Sequence, residues 1–138
     1  MNSETSDFIN KLMDVFRNRK RPPIISSHKD FPSDDYQCNS IQNQFGSLEM
    51  SEMKEYDAKM MILDSVTICD EAILYFLPKL SEVVLLGGAH PDFFLCQLNR
   101  LDKLKLSEKE MNLIEELIQR VNKIIKDFEI EENNENQW

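Results

Sequence analysis

The chain has 138 residues, 41% of them hydrophobic, and carries 25 acidic against 16 basic side chains, a formal net charge of −9. That length suits one domain with its own core, and the apolar content sets it apart from disordered acidic chains. The charge argues against direct nucleic-acid binding, which needs a broad basic surface, and three glycines are too few for the turns of a β-sandwich or barrel.

In chain order, Phe8, Ile9, Leu12, Met13 and Phe16 recur at helical spacing. They predict a first helix from Ser6 to about Arg19, capped by Thr5 or Ser6 and stopped at Pro22-Pro23. Its basic end, Arg17, Arg19, Lys20 and Arg21, suits the negative pole of a helix dipole. Residues 24–31 read as irregular, with an edge strand at most. Ser33 is placed to cap a second helix, with Asp34 and Asp35 in its first turn and Gly46 as a left-handed C-terminal cap. Ser47 to Leu63 reads as a third helix, with Met50, Met53, Met60 and Met61 on the core side.

Thr67 and Asp70 have capping-box spacing ahead of the apolar run Ala72 to Leu77, so the segment 67–86 is expected at the centre of the core, kinked or ended at Pro78. Gly87-Gly88 closes it. His90-Pro91-Asp92 turns the chain into a shorter fifth helix with Phe93, Phe94, Leu95, Leu98 and Leu101 on its apolar side. Ser107 and Glu110 form a second capping box, with Leu106 and Met111 as a hydrophobic staple, at the head of an amphipathic helix over 108–128. The expected architecture is all-α: one compact bundle of five or six helices over residues 1–128, followed by an acidic polar tail over 129–138.

The cysteines, Cys38, Cys69 and Cys96, are odd in number and form no CxxC pair, which indicates reduced thiols and a cytoplasmic protein. No apolar run approaches the ~20 residues that span a bilayer, and the polar opening residues lack the character of a secretory signal. No pair of ligands shows zinc-type spacing, so neither a metal nor another cofactor is expected. His28 near Asp30, and His90 near Asp92, are the only starting points for general-base chemistry, and no activated nucleophile can be set beside either. No catalytic residue is assigned.

The charge is unevenly distributed. Residues 31–72 hold nine acids and two bases, and residues 107–138 nine acids and four bases, whereas 1–30 and 73–106 are slightly basic. One reading of this excess is a set of solvated helix faces that keep the protein soluble. Its concentration also makes Asp34, Asp35, Glu49, Glu52, Glu55 and Asp57 the candidate residues for binding a basic partner, with association speeded by long-range steering.

The block Thr67 to Gly88, with its capped start and its Tyr75-Phe76-Leu77-Pro78 core, resembles a family of small bacterial helical proteins whose genes sometimes lie beside polymorphic toxins. The order of the flanking helices over residues 6–128 is similar too. The resemblance implies an immunity protein of the contact-dependent growth-inhibition type, without catalytic residues, that neutralises a toxin domain by binding it. A basic nuclease domain is the expected partner. The alternatives are a helical adaptor for another protein and, less favoured, a small enzyme using His28 or His90.

Overall fold

The computed structural model describes residues 3–27, 35–64 and 67–135, with side chains as far as residue 130. Its elements are α1 (Ser3–Phe16), α2 (Tyr36–Phe45), a 3₁₀ turn at Met50–Glu52, α3 (Glu55–Leu63), α4 (Asp70–Gly87), α5 (Pro91–Asn99), a second 3₁₀ turn at Leu101–Lys103, and α6 (Glu108–Glu135). The architecture is an all-α bundle. The one β-like feature among the described residues is an isolated antiparallel bridge between Ser26 and Ile68.

α4 is the hub. Its buried side chains run from Ala72 to Val84 and include Ile73, Leu74, Phe76, Leu77 and Leu80, and α1, α3, α5 and α6 all pack on it. A helix apolar around most of its circumference is stable only when surrounded in this way. Pro78 does not end α4: it lies inside the helix, buried, and the helix runs on to Gly87. Packing on all sides outweighs the one backbone hydrogen bond that proline cannot donate. Gly88 stops the helix in the left-handed conformation (φ 65°) and His90 enters α5 the same way (φ 46°), with Pro91 as the first helical residue.

Several local expectations change. α1 begins and ends about one turn earlier than its apolar spacing suggested, because Phe16 is the last buried residue and the chain turns there through Arg19 N–H to Phe16 O (3.0 Å). The basic residues therefore follow the helix instead of decorating its last turn. The third helix is broken in two, because two carboxylates reach back to cap the backbone: Glu49 N–H donates to Glu52 Oε1 (3.2 Å) and Lys54 N–H to Asp57 Oδ2 (3.0 Å). Met53 in the break is still buried, as is Met61. The Thr67–Asp70 box does not form. Thr67 instead donates from its hydroxyl to Asp64 O (2.8 Å), and Asp70 pairs with Arg100, the residue that follows α5 (3.1 Å). At α6 the Ser107–Glu110 box is complete, with bonds of 2.9 and 3.1 Å. The helix continues past Phe128 to Glu135, since nothing in 129–135 is a proline or glycine stop.

Gly46 is not a left-handed cap; its φ is −62°. It is small because Gln42 crowds it. Gln42 is buried and clamps the irregular segment, accepting from Ile25 N–H (2.6 Å) and donating to Pro23 O (3.0 Å). A Cβ at Gly46 would collide with the Gln42 carbonyl oxygen and lie 2.6 Å from its side-chain nitrogen. Gly46→Ala is expected to cost about 1–3 kcal/mol, checked by urea denaturation.

Candidate partner-binding surface

Each candidate carboxylate in the described residues is held by a specific local partner. Asp35 is the N-cap of α2, accepting from Cys38 N–H (3.1 Å). Glu49 accepts from the Tyr75 hydroxyl (2.6 Å) and lies 3.7 Å from Arg21. Glu52 and Asp57 are the backbone caps just described, and Glu55 pairs with Lys59 one turn on (3.1 Å). Asp34 lies outside the described residues, as do Ser33, His28 and Asp30. Capping leaves most of these groups in water: Glu49, Glu52 and Glu55 are exposed, and Asp35 and Asp57 half-buried.

The carboxylates do not gather at one point. Glu49 sits on Tyr75 in the first half of α4, while Glu55 Oε1 lies 3.7 Å from the position of a Cβ on Gly87 at its end. Twelve residues of helix separate those contacts, about 18 Å. Glu49 and Glu55 thus lie apart along α4, and the described set is not a compact cluster.

Two exposed aromatic residues stand next to these acids in sequence, and reading the acids alone overlooks them. Tyr36 follows Asp35 and is 83% exposed; Tyr56 stands between Glu55 and Asp57 and is 66% exposed. Exposed tyrosines are favoured anchors in protein interfaces, because they supply a large amphipathic contact area. The available signal was an aromatic placed between two acids at a helix start, a position with no place in an apolar stripe.

Three arginines are committed elsewhere. Arg19 crosses to α6 and grips Glu110 with two bonds (2.7 and 2.9 Å) plus one to Lys105 O (3.0 Å). Arg100 holds Asp70, and Arg120 lies over the Phe8 ring (4.4 Å) while pairing with Glu4 and Glu116. These ties link α1 to α6 and α4 to α5.

Among the described residues, chemistry-bearing groups do not converge. Burial pushes the Cys69 thiol up, which keeps it protonated at neutral pH, the reverse of a reactive thiolate. Burial also raises Tyr75, helped by its bond to Glu49. His90 is exposed, with the Phe93 ring edge-on at 6.2 Å. Among the described residues no three His, Cys, Asp or Glu side chains gather as a metal site, and no helix is long and apolar enough to cross a membrane. No family model, curated protein or solved structure matches the chain.

Proposed function

We propose that the protein is a stoichiometric binding protein, an immunity protein that neutralises a basic toxin domain through the acidic residues of α2, the 3₁₀ turn and α3. The observation that carries this is the imbalance of charge at the surface. Three arginines are tied to carboxylates of the same chain, and the chain still has nine more acids than bases. Glu49, Glu52, Glu55 and Asp57 would meet the Lys and Arg side chains that a nuclease turns toward its substrate, with Tyr56 as an aromatic anchor between them. Capping supports this role, because a carboxylate already ordered by a backbone N–H loses less freedom on binding.

The test is binding to the product of the neighbouring open reading frame, with association rates measured from low to high salt. The rate is expected to fall steeply with ionic strength, and Glu52→Gln with Glu55→Gln to slow association about tenfold at low salt with little change in dissociation. Absence of binding to any adjacent toxin defeats the immunity role. Tight binding indifferent to salt defeats the acidic mechanism while leaving a helical adaptor.

A further inference from the structure

Against the overall charge, one groove is cationic. It lies between the end of α1 and the first 3₁₀ turn, has a volume of about 530 Å³, and is lined by Arg17, Lys20, Arg21, Glu49, Ser51 and Tyr75, with Phe16 and Met50 in its wall. Arg19 also borders it but is neutralised by Glu110. Three cations then face one carboxylate, a local surplus of two positive charges. That carboxylate is partly engaged elsewhere: Glu49 Oε2 takes the Tyr75 hydroxyl at 2.6 Å, and its other oxygen stays 3.7 Å from Arg21, beyond hydrogen-bond distance. Arg21 is correspondingly under-used, its Nε buried without a hydrogen-bond partner among the described residues. A guanidinium presents donors in a fixed fork suited to a carboxylate or phosphate, and here no carboxylate engages it closely.

We propose that this groove binds a phosphate-class dianion. A tetrahedral anion can accept from Arg17, Lys20 and Arg21 together, with the Ser51 hydroxyl as a neutral donor. Glu52 also lies near, its carboxylate 3.2 Å from the Glu49 backbone nitrogen, and lowers that surplus, while charges more than about 8 Å away are screened at physiological ionic strength. The site is independent of the acidic surface, apart from Glu49, which borders both.

The test is a titration of the full chain with inorganic phosphate, followed by amide and arginine Nε–H shifts in ¹⁵N NMR, with chloride at matched ionic strength as control. Saturable shifts confined to residues 17–21 and 49–51 are expected. Arg21→Gln and Lys20→Gln should each weaken binding about tenfold, and Glu49→Gln should tighten it by removing the competing charge. Lys20 is exposed, so its variant tests the site without risk to the fold. Shifts that never saturate, that chloride reproduces, or that Lys20→Gln leaves unchanged overturn the proposal. Adenosine monophosphate distinguishes the source of the phosphate: added affinity with shifts at Met50 marks a phosphomonoester site, and unchanged affinity marks a site for phosphate alone.

Discussion

Phe76→Ala is expected to lower stability by about 4 kcal/mol, a large share of the roughly 5–15 kcal/mol that holds a domain folded. Phe76 is fully buried in α4, the helix on which α1, α3, α5 and α6 all rest. Truncating it removes the transfer energy of a phenyl ring and opens a cavity where several elements meet, so no single helix can move in to fill it. The Tyr75 ring, edge-on at 4.7 Å, cannot follow either, because its hydroxyl is tied to Glu49 and to Met50 N–H. Thermal unfolding followed by circular dichroism should show a midpoint lower by about 10–20 °C. Phe128→Ala is the control: that ring is 48% exposed, and its loss should cost about 1 kcal/mol or less. Equal effects from the two substitutions would contradict the central position of α4.

Glu110→Ala is expected to cost about 3 kcal/mol, because one carboxylate does two jobs. Glu110 accepts from Ser107 N–H to complete the α6 cap, and it holds Arg19 by two bonds across the bundle. Arg19 keeps its bond to Lys105 O and about a third of its exposure, which limits the penalty of leaving it unpaired. Glu110→Gln separates the two contributions, since glutamine can still cap but cannot pair with the guanidinium as an ion.

The same residue sets a pH dependence. The hydrogen bonds from Arg19 hold the Glu110 carboxyl below its ordinary range, against the opposing pull of burial. A depressed folded value means the unfolded chain binds the proton more readily. The stabilisation is therefore fully present above the unfolded value of about 4.3 and is lost as the pH falls through the lower folded value. Midpoints of wild type and Glu110→Gln should thus differ most near neutrality and converge in acid. A difference that grows on acidification would show that the pairing is not what stabilises Glu110.

Much of the architecture is legible in short-range pattern. The Ser107–Glu110 box, the apolar run Ala72–Leu77 and the Gly87-Gly88 stop each involve residues within one or two turns, where backbone geometry decides the outcome. Errors appear where a polar side chain had a choice of partner. Asp57 and Glu52 cap the backbone and split a helix that apolar spacing made continuous, and Asp70 leaves its own cap for Arg100, thirty residues away. Periodicity records which face is apolar, not which of several donors a carboxylate will find.

The candidate surface divides the same way. That this chain is strongly acidic, mostly helical, and richest in carboxylates over residues 31–72 is a property of its composition and order, and no folding was needed to know it. Tertiary structure alone decided that Glu49 and Glu55 lie apart along α4, and that Arg17, Lys20 and Arg21 collect in one groove while Arg19 is drawn off to Glu110. The physical reason is range. Helix formation and net charge follow from neighbours in sequence, whereas charge pairing is settled between side chains that the chain brings together only when α4 is enclosed.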